Sequence, residues 1–106
     1  MNFVKADLDA ISFTFRVGQV DASFDQLVRC FGEPHDEGDG YKTDVEWLLQ
    51  FEDGTVATIY NWKDGPNYLG AAGTPVDRIT HWHIGGRDVR ASRAVRRALE
   101  KCAQLA

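Results

Sequence analysis

The chain has 106 residues, of which 43% are hydrophobic and 26% are charged, and its formal net charge is −4. This composition excludes an intrinsically disordered chain and predicts a single folded domain over residues 1–106. No segment approaches the roughly 18 apolar residues of a membrane span, and the amino-terminal residues lack a signal-peptide pattern, so we expect no membrane partner.

Alternating apolar residues over 11–17 predict a half-buried strand with Ile11 on its apolar face. Ser23 and Gln26 have the spacing of a capping box, and the apolar periodicity that follows predicts a helix over residues 24–31. Both cysteines, Cys30 and Cys102, fall on apolar helical stripes. We therefore expect buried free thiols in a cytosolic protein, since nothing in the sequence points to the oxidising compartment that a disulfide needs.

Two apolar segments, residues 43–51 and 55–62, flank Asp53-Gly54 and predict a β-hairpin. The Asp-Gly pair favours a two-residue type I′ turn, and that register places Trp47 opposite Tyr60 on one aromatic face. The other face of the hairpin is predicted to be more polar, and both faces to be partly covered.

Two loops and a last strand complete the chain. Residues 35–40 form an acidic loop without the ligand alternation of a calcium site, and residues 64–77 form a long connection of the kind that is functional or mobile. Residues 79–84 predict a strand with His81 and His83 on one side. The resulting β-α-β-β-β-α order is typical of an α+β fold, with a single antiparallel sheet and helices packed on it.

Charge is distributed unevenly along the chain. Residues 1–77 carry 5 basic and 14 acidic side chains, whereas residues 78–106 carry 7 basic and 2 acidic ones. The basic end suits an anion, while the acidic remainder disfavours stable binding to a nucleic-acid duplex. One sheet and two modest helices also leave little material to cover both sheet faces, so we expect a homo-oligomer.

The final helix follows Gly85-Gly86, and Arg87 and Arg90 lie at its predicted start. A helix start exposes backbone N–H groups and the positive end of the helix dipole, which suit a phosphate. The same residues also fit an alternative interpretation, in which they form an ordinary solvent-exposed basic face whose charge offsets the acidic remainder of the chain.

His81 and His83 could bind a metal only if a carboxylate or His35 completed the set, and no such pattern is evident, so we predict no metal and no cofactor. Nucleophile-elbow, Walker and dinucleotide patterns are absent, and no catalytic residue is assigned. Glu46 and the two strand histidines are the only candidates for acid–base chemistry. The sequence therefore favours a binding protein over an enzyme.

The aromatic residues are dense for so short a chain, and some of them stand near basic residues. Exposed aromatic rings beside Arg or Lys are a common means of binding a nucleobase. The predicted ligand-binding residues are Tyr60, Asn61, Trp62, Lys63, Trp82, His83, Gly85, Gly86, Arg87 and Arg90.

Four segments resemble a family of small phage-encoded proteins: residues 31–34 (FGEP), 45–47 (VEW), 51–60 (FEDGTVATIY) and 82–86 (WHIGG). The chain is similar to the Thoeris anti-defence sponges, which sequester cyclic ADP-ribose isomers or related cyclic nucleotides without cleaving them. This resemblance implies a non-enzymatic phage counter-defence protein that withholds a nucleotide-derived immune signal in the host cell cytoplasm. No functional residue is carried over from it.

An alternative function is that of an anti-CRISPR-like inhibitor that binds a host defence protein directly. The net charge of −9 over residues 1–77 motivates it, because an acidic surface can act as a partial nucleic-acid mimic.

Overall fold

The computed structural model describes residues 2–105, whose five strands form one antiparallel sheet with helices packed on it, the predicted α+β fold. The spatial order of the strands is β1-β3-β4-β5-β2. The strands are β1 (Phe3–Lys5), β2 (Phe15–Asp21), β3 (Glu46–Phe51), β4 (Val56–Tyr60) and β5 (His81–Gly86). The helices are α1 (Phe24–Phe31), α2 (Pro66–Leu69) and α3 (Arg90–Leu105), with 3-10 turns at Gly70–Ala72 and Val76–Arg78.

The main core lies between one face of the sheet and the helices α1 and α3. Trp47 of β3 and Trp82 of β5 are fully buried there, with their rings edge to face at 5.4 Å. Each indole N–H is satisfied inside the core, by the Gly32 carbonyl and the Ala22 carbonyl respectively, at 2.9 Å in both cases. Both indoles are therefore structural.

Helix α1 confirms the predicted boundaries and the predicted cap. The Ser23 hydroxyl accepts the Gln26 backbone N–H at 3.1 Å, and the Gln26 side chain accepts the Ser23 N–H at 2.7 Å. The two reciprocal bonds satisfy donors that a helix start otherwise leaves open. Helix α3 begins at Arg90, later than predicted, because Gly85 and Gly86 belong to strand β5.

The hairpin between β3 and β4 lies where it was predicted, but the predicted turn type is wrong. Three residues, 52–54, form the loop, and Phe51 both donates to the Thr55 carbonyl and accepts from the Gly54 N–H at 2.9 Å. Gly54 has φ of +89°, the left-handed conformation that glycine supplies in such three-residue loops.

The extra loop residue shifts every predicted cross-strand pair by one position. Trp47 pairs with Ile59 and Glu46 pairs with Tyr60, so the predicted pairing of Trp47 with Tyr60 is wrong. Because side chains alternate between sheet faces, this shift sends Trp47 to the helix side and Tyr60 to the opposite side. The single aromatic face that the sequence predicted does not form.

The amino-terminal part also differs from the prediction. Residues 7–13 form turns, and strand β2 starts at Phe15, while the short strand β1 was not predicted. Phe13 has φ of +64°, which interrupts the extended backbone that the alternation of apolar residues predicted, and its side chain is 92% exposed. Ile11 instead packs against the second sheet face, beside Leu48 and Val56.

The two cysteines form a disulfide between α1 and α3, so the prediction of free thiols is wrong. Their Cα atoms are 5.7 Å apart, within the usual range of a disulfide. The apolar stripes of α1 and α3 pack against each other, which brings Cys30 and Cys102 side by side. In residues 2–105, no helix has the length and apolar character to cross a membrane.

Candidate functional site

Ala6, Ala10 and Ile11 pack on one end of the sheet face opposite α1 and α3. Beyond this cover lies an open pocket of about 240 Å³, which we call the sheet-face pocket. It is lined mainly by Glu46, Thr58, Tyr60, Trp62 and Gly85, with Asp39 of the acidic loop and the nearby Thr43 at its side. Such a volume is below the roughly 300–1,000 Å³ of pockets that enclose a drug-sized ligand, and it suits a flat ring.

One row of side chains crosses three strands beside this pocket. Glu46 of β3 pairs with Tyr60 of β4, which in turn pairs with His83 of β5. Directly opposed side chains on one sheet face have Cβ atoms about 4.5–5.5 Å apart. The structure therefore brings together Glu46 and His83, two of the predicted acid–base candidates, through Tyr60.

Three aromatic rings gather at the carboxyl end of β4. The Tyr60 and His83 rings meet edge to face at 5.6 Å, and the Trp62 and His83 rings are 6.2 Å apart and nearly parallel, at 23°. Trp62 is 38% exposed, unlike the two core tryptophans. Trp62 therefore offers solvent an indole that a ligand can reach.

Two lysine ammonium groups flank the Trp62 ring. The Nζ atom of Lys42 is 5.4 Å from the ring centroid and that of Lys63 is 5.8 Å from it, both within cation–π range. A hydrogen bond of 2.8 Å from the Lys63 N–H to the Lys42 carbonyl joins the two backbones. The exposed aromatic ring thus has a double positive charge beside it.

Asn61 is fully buried and acts as a structural brace. Its side-chain oxygen accepts the backbone N–H groups of Asp44 and Val45 at 2.8 and 3.2 Å. Its side-chain amide donates to the carboxylates of Asp44 and Asp64 at 2.8 and 3.0 Å. Asn61 therefore fixes the segment that carries Trp62, and all of its polar groups are used within the fold.

Gly85 forms part of the pocket floor between Thr58 and Tyr60. A Cβ atom at this position would collide with the Thr58 hydroxyl. The missing side chain therefore keeps this part of the sheet face open. Gly86 points to the other face, where a Cβ would collide with Ala91 of α3, so Gly86 serves helix packing.

Burial and like charges perturb the ionisable groups of the row. Burial raises the pKa of Glu46 from 4.5 to about 7, with additional contributions from the charges of Asp36 and Asp39. The pKa of His83 is lowered, mainly by burial and then by the positive charge of Arg16. At neutral pH Glu46 is therefore poised between its two protonation states, while His83 favours the neutral form.

The basic helix start lies at the other end of β4. Arg87 and Arg90 border a separate shallow pocket beside the hairpin loop, and the four residue steps from Val56 to Tyr60 span about 13 Å. Arg90 is held by Asp88, which accepts its guanidinium at 2.8 Å and its backbone N–H at 2.9 Å. Arg87 donates to the Ala10 carbonyl at 2.6 Å.

The predicted ligand-binding set therefore divides into three groups. Tyr60, Trp62 and Gly85 line the sheet-face pocket, and Lys63 and His83 lie beside the Trp62 ring. Arg87 and Arg90 lie at the opposite end, where the chain's own carboxylate already occupies the predicted phosphate position. The remaining three are used by the fold: Asn61, Trp82 and Gly86.

Two of the three histidines, His81 and His83, meet edge to face at 5.8 Å. His81 faces the same side of β5 as His83 but pairs with Asp21 at 2.9 Å, and the His35 ring accepts the Leu48 N–H at 3.0 Å. In the described part of the chain, no three His, Cys, Asp or Glu side chains gather as a potential metal site.

Sequence reasoning missed Lys42 altogether and included Glu46 only as an isolated acid–base candidate. Lys42 reaches Trp62 through a contact between two loops, for which the sequence carries no local signal. Glu46 joins Tyr60 only in the register that the three-residue hairpin loop produces.

Comparisons of the chain with protein-family models, with curated proteins and with solved structures give no match in any of the three. The residues of the sheet-face pocket and the resemblance noted in the sequence are therefore the basis for assigning a function.

Proposed function

We propose that this protein binds a nucleotide-derived small molecule at the sheet-face pocket and withholds it without converting it. One observation carries the proposal: the exposed indole of Trp62 stands at the pocket with two lysine ammonium groups 5.4 and 5.8 Å from its centroid. A nucleotide combines a flat base, which stacks on an aromatic ring, with phosphates, which pair with lysines.

The dimensions and polarity of the pocket support the same class of ligand. A pocket of about 240 Å³ is suited to a single flat ring system and leaves the sugar and phosphates at the rim, beside Lys42 and Lys63. Its walls combine aromatic carbon with polar groups of Glu46 and Thr58. This mixture of stacking surface and a few converging polar groups is typical of small-molecule sites.

Sequestration in the host cell cytoplasm is the role that the resemblance to anti-defence sponges implies, with a cyclic nucleotide or a cyclic ADP-ribose isomer as the ligand. In that reducing compartment we expect the Cys30–Cys102 pair to be reduced. We further propose a homo-oligomer in which a second copy closes the open side of the pocket. Phe13, which is 92% exposed and precedes the pocket-lining Thr14, supplies apolar surface for such a contact.

Isothermal titration calorimetry with linear and cyclic nucleotides and cyclic ADP-ribose isomers tests the proposal. Lys42→Gln combined with Lys63→Gln should weaken binding by about tenfold to a hundredfold, because each loses a charge-assisted contact. Lys5→Gln combined with Lys101→Gln is the matched control, since both lysines are exposed and, unlike Lys42 and Lys63, neither lies in cation–π range of the Trp62 ring. The control should bind as the unmodified protein does.

A second candidate function, acid–base catalysis on the same ligand, is favoured by the row of Glu46, Tyr60 and His83. A carboxyl group whose pKa is about 7 beside a neutral imidazole is an arrangement that general acid–base catalysis uses. Chromatography of the ligand after incubation separates the two functions. Intact ligand supports sequestration, and conversion that Glu46→Gln abolishes supports catalysis.

The absence of measurable heat with the whole panel would contradict both functions. It would favour the alternative of an inhibitor that binds a host defence protein directly.

A further inference from the structure

The Glu46 carboxyl lines the sheet-face pocket and is free to bind a ligand. Its backbone is anchored on both sides, to Asp36 through an isolated bridge and to Tyr60 through the β3–β4 ladder. Within residues 2–105, no hydrogen bond to its side-chain oxygens occurs, and hydrogen bonds are not among the causes of its perturbed pKa. A ligand that supplies hydrogen-bond donors to a half-buried acceptor of this kind gains the most binding free energy.

We propose that Glu46 reads the hydrogen-bonding edge of a purine base in the pocket, its ionised form selecting guanine and its protonated form selecting adenine. This inference rests on the proposed function, because it requires that the ligand is a nucleotide whose base enters the pocket beside Trp62.

The selection follows from matching donors with acceptors. The Watson–Crick edge of guanine presents two adjacent donors, the N1–H and the 2-amino group, and a carboxylate presents two adjacent acceptors. The edge of adenine presents the 6-amino donor beside the N1 acceptor. A protonated carboxyl matches that edge, because it has one O–H donor and one carbonyl acceptor.

The charges around Glu46 make both protonation states accessible near neutral pH. Asp36 and Asp39 oppose its ionisation from the loop side, and burial adds to their effect. From the sheet side, Glu46 faces Tyr60 directly, and His83 and Arg16 lie on the strands beyond. Tyr60 and a neutral His83 carry no charge there, so the two aspartates dominate over the more distant Arg16.

The number of protons exchanged on binding distinguishes base recognition by Glu46 from a purely structural role of this residue. Guanine binding should release protons from Glu46 at pH values just below 7, because the ligand requires the carboxylate. Adenine binding should take up protons just above pH 7. Calorimetry in two buffers of different ionisation enthalpy measures the number of protons exchanged.

The decisive experiment compares GMP, IMP and AMP at about pH 6.0 and about pH 8.5, conditions that lie on either side of the Glu46 pKa of about 7. At the higher pH, GMP should bind about tenfold to a hundredfold more tightly than AMP, and IMP should be intermediate because it lacks the 2-amino donor. At the lower pH, the preference should reverse towards AMP.

Glu46→Gln tests the assignment directly, since its amide presents one donor beside one acceptor at every pH. This variant should prefer AMP at both pH values and lose the difference in proton exchange between GMP and AMP binding. Glu52→Gln, the same change in the exposed hairpin loop, is the matched control and should retain the reversal.

Equal affinities for GMP and AMP at both pH values would overturn the inference and leave the proposed function standing, since nucleotide binding would persist. A base preference that is the same in the unmodified protein and in Glu46→Gln would also overturn it. No binding of any of the three mononucleotides would overturn the inference, whereas only the absence of heat with the whole panel of linear and cyclic nucleotides would contradict the proposed function.

Discussion

Replacement of Glu46 by glutamine should stabilise the protein at alkaline pH. Below about pH 4.5 the carboxyl is protonated in both the folded and the unfolded state and has no differential effect. Between that pH and about 7 the folded state retains a proton that the unfolded state has released, so the free energy of unfolding falls as the pH rises. Above about 7 the full cost of burying the carboxylate is present.

The size of the effect follows from the shift in pKa. A rise from 4.5 to about 7 corresponds to about 3 kcal/mol, at 1.36 kcal/mol for each unit. Glu46 keeps some contact with solvent through the open pocket, which screens its charge, so about 1–2 kcal/mol is the expected change. Glutamine has nearly the same shape and no charge, so it removes this cost without creating a cavity.

Urea denaturation at about pH 5 and about pH 8.5 measures the difference, with Glu52→Gln as the control. We expect Glu46→Gln to exceed the unmodified protein in stability by about 1–2 kcal/mol at the higher pH and to differ much less at the lower pH. Equal stabilities at pH 8.5, or a variant that is less stable there, would refute the account of Glu46 as a half-buried carboxyl.

Three further predictions concern other parts of the fold. The pKa of His35 is lowered by burial and then by Lys5, so the histidine contribution to stability should be complete above about pH 6.5 and decline as the pH falls. His35→Gln, whose side-chain oxygen can still accept the Leu48 N–H, should remove this decline, as measured by urea denaturation across the range. Cys30→Ser should lower the free energy of unfolding by about 2–4 kcal/mol under oxidising conditions, because the disulfide closes a long loop, and adding reductant to the unmodified protein should have a similar effect. Sedimentation at tens of micromolar should show a dimer or higher species, and a purely monomeric protein would contradict the proposed oligomer.

The elements that the sequence predicted well are those with strong local chemistry. The capping box at Ser23 and Gln26 sets the start of α1 through bonds between residues three apart. The alternation of His81, Trp82 and His83 correctly predicts that the indole and the imidazoles lie on opposite sides of the sheet, although Trp82 was predicted to bind a ligand and is instead buried in the core. In each case, the information lies within a few residues of the feature.

The hairpin register could not be read from the sequence in the same way. An Asp-Gly pair fits both a two-residue loop and a three-residue loop that ends in a left-handed glycine. Trp47 and Tyr60 have similar preferences for strands, so local propensity does not distinguish the two registers. Tertiary packing does, because Trp47 fills the core beneath α1 and donates its indole N–H to Gly32.

The candidate site was partly predictable for a related reason. Tyr60, Trp62 and Lys63 are close in sequence and remain close in space. Lys42 reaches the site from a distant loop, which no local pattern indicates. Arg90 was predicted to face a ligand, but Asp88, two residues earlier, already pairs with it, and the hydrogen bonds from Arg90 lower the pKa of Asp88 to about 2.

The three indole N–H groups provide the most direct measurement of nucleotide binding at the sheet-face pocket. In a ¹⁵N-labelled sample, GMP or AMP should shift the indole resonance of Trp62, which is 38% exposed at the pocket. The resonances of Trp47 and Trp82 should remain in place, because their N–H groups are hydrogen-bonded inside the core. A Trp62 resonance that stays unchanged at saturating nucleotide, or equal shifts of all three, would contradict binding at this pocket.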